Sequence, residues 1–198
     1  MRYILIIVFS FIILEGNCVI GQGHKSDSKL LERALDYFAS GKYHEALLLF
    51  KKIDEKYNLN PRFKAYIGVC YYHEYDYENA CLYLGETIDQ LNIYSPNERS
   101  VYYNVMAESY FMLNDYTKAI PFYEKKLLVC QKEERGDIYY RLGFCYMFNN
   151  KWECANEYFK SSLTYYYIYN VNLKGNRIAQ LKRMIKGCEK KLTNINNN

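Results

Sequence analysis

Apolar positions along residues 139–159 fall into two helical stripes separated by a short polar break. The first stripe has apolar or small residues at i, i+3, i+4 and i+7, and its members are Tyr139, Leu142, Gly143 and Tyr146. Polar residues 149–151 precede a second stripe, which consists of Trp152, Ala155 and Phe159. Both spacings indicate amphipathic helices. Because the break is short, we expect an antiparallel hairpin in which Gly143 and Ala155 let the two backbones approach.

The same hairpin pattern occurs four times along the chain. An alanine marks the second helix of each unit, a tyrosine lies nine residues before it, and another aromatic lies three residues before it. The alanines are Ala46, Ala80, Ala119 and Ala155, and the first tyrosines are Tyr37, Tyr71, Tyr110 and Tyr146. Successive alanines are 34, 39 and 36 residues apart. Fixed spacing within a unit and variable spacing between units are typical of a tandem array, in which each hairpin stacks on the next.

These positions resemble the tetratricopeptide repeat, which has an aromatic, Leu, Gly or Ala and Tyr on its first helix, then Ala and an aromatic on its second. The fourth unit matches through both stripes, and the third matches through Tyr103, Met106, Ala107, Tyr110, Ala119 and Tyr123. The second unit has Lys64 at the aromatic position, and the first has Arg33 in place of the leucine. Pro61 and Pro96 stand near unit starts rather than at the position of the family proline.

Over residues 27–169 the resemblance implies an all-α fold, an α-solenoid of about four antiparallel helix-turn-helix repeats. Related helical repeats with units of about 36 to 40 residues remain an alternative for the looser spacings.

The N-terminal residues predict a separate segment. Arg2 precedes twelve uncharged, mostly apolar residues, 3–14, and Glu15 ends the run. The run is shorter than the roughly 20 residues of a transmembrane helix and has the form of a secretory signal. We expect a signal peptide at residues 1–21, and therefore an exported protein in the periplasm or cell envelope of a bacterium. Lipidation at Cys18 and an uncleaved anchor remain alternatives, and either would associate the chain with a membrane.

The expected solenoid spans residues 22–193, includes a capping helix from about residue 174, and is followed by a disordered tail at 194–198. The apolar face of the capping helix consists of Ile178, Leu181, Ile185, Cys188 and Leu192. Its other positions include Arg177, Lys182, Arg183, Lys186, Lys190 and Lys191. We interpret the helix as a shield for the last hairpin. Its basic face is either a solvated surface or a binding surface that attracts an acidic partner or lipid headgroups.

Few residues suggest chemistry. The chain has three histidines and no glycine-rich phosphate loop, and Cys70, His73 and Cys81 lack the fourth ligand of a structural zinc site. We therefore predict that the protein is not an enzyme and has no catalytic residues, no cofactor and no metal site. The net charge is +4 with acids and bases interspersed, which does not indicate nucleic-acid binding.

Signal cleavage would leave six cysteines in an oxidising compartment. One hypothesis pairs Cys70 with Cys81, and Cys145 with Cys154, as clasps within hairpins, provided that their Cα atoms come within about 7 Å. The alternative, which we favour, is that the cysteines are reduced and serve as small buried residues.

The function is expected to reside in a surface. Each first helix carries a second stripe beside the one that packs internally, and in the resembled family these faces line a concave groove that binds peptides. Leu31 and Leu35 occupy positions where the family's carboxylate clamp needs Lys and Asn, so a chaperone-tail receptor is not indicated. We predict an apolar, aromatic groove whose partner-binding residues, called the groove stripe below, are Phe38, Tyr72, Phe111, Met112, Tyr140, Phe144, Met147 and Phe148.

Two functions follow from this prediction. In the first, the chain is a scaffold that binds a protein or peptide partner in the groove. In the second, it is a structural homo-oligomer whose groove is filled by self-assembly. The capping helix and the N-terminal segment are further candidates to fill the groove.

Overall fold

The computed structural model describes residues 21–169 and 175–196, and the side chains of residues 27–169 and 176–195. Most of the predicted signal peptide, including the lipidation candidate Cys18, lies outside the described residues. The helices are α1 (Gly21–Ala39), α2 (Tyr43–Tyr57), α3 (Pro61–His73), α4 (Tyr77–Gly85), α5 (Pro96–Met112), α6 (Tyr116–Val129), α7 (Arg135–Phe148), α8 (Trp152–Tyr169) and α9 (Gly175–Asn196). Short 3-10 helices cover Ile88–Ile93 and Lys132–Glu134.

The helices form four antiparallel hairpins, α1/α2, α3/α4, α5/α6 and α7/α8, and α9 packs on α8. Each hairpin contacts mainly the one before it and the one after it, as in a solenoid. The described residues contain no β-strand. The predicted all-α solenoid of four hairpins is therefore confirmed, and the four hairpins are called repeats one to four below.

Side-chain caps explain where several helices begin. Asn60 accepts a hydrogen bond from the Phe63 backbone N–H, and Ser95 accepts one from the Glu98 N–H. The prolines that follow these caps, Pro61 and Pro96, occupy the first turns of α3 and α5. Proline suits that position because the missing N–H would have no helical partner there. This accounts for the two prolines that stood away from the family position.

Small residues lie where the two helices of a hairpin cross. The four repeat alanines are fully buried. A Cβ on Gly68 would lie 2.8 Å from Leu84 Cγ, and one on Gly143 would lie 2.5 Å from the Phe159 ring. The expected close approach is therefore present, although in repeat four the contact across from Gly143 is Phe159.

Five of the 24 tyrosines take part in a second kind of contact within hairpins. The repeat tyrosine on the first helix meets an aromatic ring on the second, with centroid distances of 5.5 Å for Tyr71–Tyr83, 5.8 Å for Tyr110–Phe122 and 5.1 Å for Tyr146–Tyr158. A lysine ammonium group lies 5.6–5.9 Å from the ring centroid of three of the repeat tyrosines. The pairs are Lys42 with Tyr37, Lys118 with Tyr110, and Lys151 with Tyr146. Apart from Tyr71, which is buried, these rings are half-buried. These half-buried rings pack on one side and meet water on the other.

An ion pair joins repeats two and three. Arg62 Nε and Nη2 donate to the two carboxylate oxygens of Glu98 at 2.8 and 2.9 Å, and the Tyr102 hydroxyl donates to Glu98 at 2.6 Å. Only about a fifth of the Arg62 and Glu98 side chains is exposed. Burial raises the pKa of the Tyr102 hydroxyl, and its hydrogen bond to Glu98 raises it further. The network fixes the register between neighbouring hairpins.

Helix α9 covers the end of the array. Its Leu181 and Cys188 are buried in one cluster with Tyr140, Phe159 and Tyr166. The helix includes residues 194–196 of the expected tail, and residues 197 and 198 lie outside the described part.

The six cysteines from Cys70 onward are free thiols. Burial raises the pKa of Cys70 to about 12, and burial with the nearby Glu108 charge does the same for Cys145.

Candidate functional site on the first helices of repeats three and four

The groove stripe divides into two groups. Phe38 on α1 stacks on Tyr66 of the next hairpin at 4.5 Å, and Tyr72 on α3 lies 5.9 Å from the Tyr77 ring. Both side chains are half-buried. Among the described residues, no ring contact joins these two to the rest of the stripe. The other members lie on α5 and α7.

A connected group of rings lies at the C-terminal ends of α5 and α7. Tyr116 stacks on Phe148 at 4.6 Å, and Phe148 lies 5.8 Å from Phe144 and 6.5 Å from Phe111. We call Phe111, Tyr116, Phe144 and Phe148 the aromatic cluster. Three of the four are groove-stripe residues, and Tyr116 is the repeat aromatic at the start of α6. The structure therefore brings the stripes of repeats three and four into one surface.

The groove-stripe residues in this region differ in exposure. Phe148 is 48% exposed and Met112 is 50% exposed. Phe144 packs on the fully buried Phe159 at 5.2 Å, and Tyr140 is only 9% exposed. Met147 is partly buried against the same core. The outer members can therefore contact a partner, whereas Phe144 and Tyr140 also hold the hairpin together.

A polar cavity of about 370 Å³ lies beside the aromatic cluster, on the face for which the sequence predicted an apolar, aromatic groove. It is lined by Asn104, Glu108, Tyr123, Lys126, Asp137, Ile138, Tyr140, Arg141 and Arg177. These residues come from α5, α6, α7 and α9. A second depression of about 450 Å³ shares Asn104 and Lys126 with it. The face therefore combines an aromatic edge with a charged trough.

Glu108 lies in the wall of the cavity and is held from two sides. The Tyr123 hydroxyl donates to its Oε1 at 2.7 Å, and Arg141 Nη2 pairs with its Oε2 at 2.8 Å. Burial raises the pKa of Tyr123, and the Glu108 charge adds to the rise. Burial lowers the pKa of Arg141, but Glu108 together with the nearby Tyr123 and Tyr72 hydroxyls offsets this, so the pKa lies above its ordinary value. Arg141 also lies 4.6 Å from the Phe111 ring centroid, which links the cavity to the aromatic cluster.

The other charged side chains of the cavity are paired as well. Lys126 donates to Asn104 Oδ1 at 2.9 Å and lies 3.4 Å from Glu134. Arg177 on α9 lies 3.9 Å from Asp137 and 4.3 Å from the Tyr140 ring centroid. The pairs hold these side chains in defined positions, and the guanidinium groups keep further N–H donors for a ligand.

Sequence patterns missed several of these residues. Tyr123 was recognised only as a repeat position, and Arg141 lies on α7 between the internal stripe and the groove stripe. Lys126 and Arg177 come from α6 and from the capping helix, elements that the groove prediction did not include. The pairing of Arg141 with Glu108 on the preceding first helix has no fixed sequence spacing, because it crosses between repeats.

No group of three or more His, Cys, Asp or Glu side chains in the described residues is arranged to hold a metal ion. Within the same residues, no helix combines the length and the apolar character needed to cross a membrane.

Several solved structures share this architecture. A MamA structure (AMB-1) superposes with a TM-score of 0.69 over 86% of this chain and 84% of that chain, at 14% sequence identity. A second (MamA MSR-1) gives a TM-score of 0.58 at 12% identity, over 84% and 98% of the two chains. The apo form of RapI gives 0.63 at 12% identity, over 86% and 65%. The chain has the fold of a tetratricopeptide-type helical repeat protein. No protein-family model matches it, and no curated protein matches its sequence.

Proposed function

We propose that this tetratricopeptide-type chain is a non-catalytic scaffold, which binds a peptide or protein partner through the surface formed by α5 and α7. The observation that carries the proposal is the aromatic cluster, with Phe148 half exposed at its edge, beside a charged cavity on one face. Aromatic anchors next to fixed hydrogen-bonding groups are typical of binding surfaces, in which a few large side chains provide most of the affinity. The MamA and RapI likenesses support the fold on which this proposal rests.

We further propose that the scaffold works outside the cytoplasm, in a bacterial envelope. The support for this location is the signal-like pattern of residues 1–21. Envelope extract of the native host is therefore the material from which a partner should be recovered.

The test removes exposed anchors without touching the core. Phe148 and Met112 are suitable because each is about half exposed, whereas Phe144 packs on buried Phe159. The double variant Met112→Ser with Phe148→Ser should lower recovery of a crosslinked partner by about 30-fold or more, as expected for interface anchors. The matched control is Leu48→Ser with Leu82→Ser, which removes two side chains of similar exposure from second helices.

Both variants should melt within a few degrees of the unchanged protein, because all four side chains are about half exposed and none lies in a buried cluster. Partner recovery equal in the two variants would show that the proposed surface is not the binding site. The homo-oligomer alternative is tested by sedimentation of the purified protein. The homo-oligomer function is supported instead if the protein forms a stable oligomer, if only the Met112/Phe148 variant is monomeric, and if no other protein is crosslinked.

A further inference from the structure

The charge of the chain is concentrated on its last helix. Six Lys or Arg residues and one Glu lie within α9, a net charge of +5, whereas the whole chain carries +4. The remaining residues together are therefore slightly acidic, at −1. The capping helix alone accounts for the basic character of the protein.

Four of the six basic side chains form a separate surface. Lys182, Arg183, Lys186 and Lys190 are exposed and form no ion pair or hydrogen bond with a described residue. The other two are engaged, since Arg177 lies over Tyr140 and Lys191 lies over Trp152. Glu189, the acidic residue of α9, pairs with Lys160 at 2.9 Å. No carboxylate of α9 is thus left to neutralise the four.

These four residues, called the basic stripe below, share one face of α9. Lys182, Lys186 and Lys190 follow at i, i+4 and i+8, and Arg183 lies beside them, so the stripe is about 12 Å long. Leu181 and Cys188, on the opposite face, are buried. Packing of α9 on the last hairpin therefore directs the basic stripe into solvent.

We propose that the basic stripe docks the end of the solenoid on an anionic phospholipid surface. Three of its four residues are lysines, whose flexible ammonium groups suit diffuse charge, whereas specific protein interfaces are depleted in lysine. The apolar segment at residues 3–14 indicates that the chain meets a membrane during or after export. The anionic headgroups of that membrane are an extended polyanion of opposite charge to the stripe. Each Lys or Arg near such a surface strengthens binding about fivefold.

The experiment measures co-sedimentation of the full chain with two kinds of vesicle. One kind is pure phosphatidylcholine, and the other contains about 30% phosphatidylglycerol. The apolar N-terminal segment is present in every sample and does not distinguish the two lipids by charge. Binding that depends on the basic stripe should appear only with phosphatidylglycerol and should weaken steeply between low and high salt.

The test variant replaces all four stripe residues, as Lys182→Gln, Arg183→Gln, Lys186→Gln and Lys190→Gln. The matched control makes the same change in net charge at scattered sites, as Lys29→Gln, Lys52→Gln, Lys64→Gln and Lys132→Gln. We expect at least about a 100-fold loss of affinity for phosphatidylglycerol vesicles in the stripe variant, and much less in the control. Helical content and melting should stay unchanged in the stripe variant, because its side chains have no described partners.

Several outcomes would overturn the proposal. Equal losses in the two variants would mean that net charge alone attracts the protein. Equal binding to both lipids would assign membrane association to the N-terminal segment. Tighter binding of a 20-base-pair DNA duplex or of polyglutamate at the same salt would identify a nucleic acid or an acidic protein as the partner. If the stripe variant misfolds, the salt dependence of the unchanged protein still tests the proposal. Binding to phosphatidylglycerol vesicles that does not weaken with salt would contradict it.

Discussion

At the scale of single residues, the four hairpin turns adopt the same left-handed backbone conformation with different side chains. Each turn has one residue in the left-handed region, at φ of 75° for Gly41, 62° for Tyr75, 60° for Asn114 and 59° for Asn150. Glycine and asparagine adopt this conformation readily, whereas a tyrosine is strained there. Tyr75 is also 78% exposed, so burial does not compensate for the strain. We therefore expect the second turn to be less stable than its three equivalents.

Replacing Tyr75 by Asn should stabilise the protein by about 1 kcal/mol, because Asn suits the left-handed region. Urea denaturation followed by circular dichroism measures the change. Tyr75→Ala is the control, since it removes the ring but retains a side chain disfavoured in this conformation. Equal stabilities of the two variants would show that backbone strain is not the reason.

At the scale of the element, two glycines inside helices have opposite roles. Gly143 on α7 faces the fully buried Phe159, whose ring would lie 2.5 Å from an added Cβ. Gly187 on α9 has nothing within 4 Å of the position of a Cβ. The first glycine is required by packing across the hairpin, whereas the second only weakens its helix.

Gly143→Ala should therefore destabilise the protein by about 1–3 kcal/mol through overpacking. Gly187→Ala should stabilise it by up to about 1 kcal/mol, the difference in helix propensity between the two residues. Because both are glycine-to-alanine changes, they restrict the unfolded chain similarly. Thermal unfolding of the two variants gives the comparison, and shifts of the same sign would contradict the assigned packing.

At the scale of the whole molecule, the stability of each hairpin depends on its contacts with the neighbouring hairpins. Leu181 on α9 and Ile67 on α3 are both fully buried, but they lie in separate clusters at opposite ends of the array. In such a solenoid, loss of one contact weakens the adjacent units first.

Leu181→Ala should cost about 2–5 kcal/mol locally and lower amide protection mainly in α7–α9. Ile67→Ala should lower protection mainly in α2–α5. Native-state hydrogen exchange analysed by mass spectrometry measures both patterns. Uniform loss of protection along the chain in both variants would show that the array unfolds as one unit.

Sequence periodicity was sufficient to predict the hairpins. Helical spacing and the repeated Tyr-to-Ala interval depend on local geometry, so they appear in the sequence itself. The sequence did not explain the 39-residue interval between Ala80 and Ala119, which the structure accounts for by the 3-10 helix Ile88–Ile93 after the short α4. For the candidate site, the same periodicity placed Phe111, Met112 and Phe148 on one face.

By itself, the sequence determined the number of hairpins and their order, because each depends on residues within one unit. Only the tertiary structure decided which groove-stripe side chains are exposed and which charged residues lie beside them. The cavity forms where Glu108 meets Arg141 of the next hairpin and where Arg177 of α9 covers Tyr140. Such contacts depend on the offset and rotation between successive hairpins, and no spacing along one helix specifies those quantities.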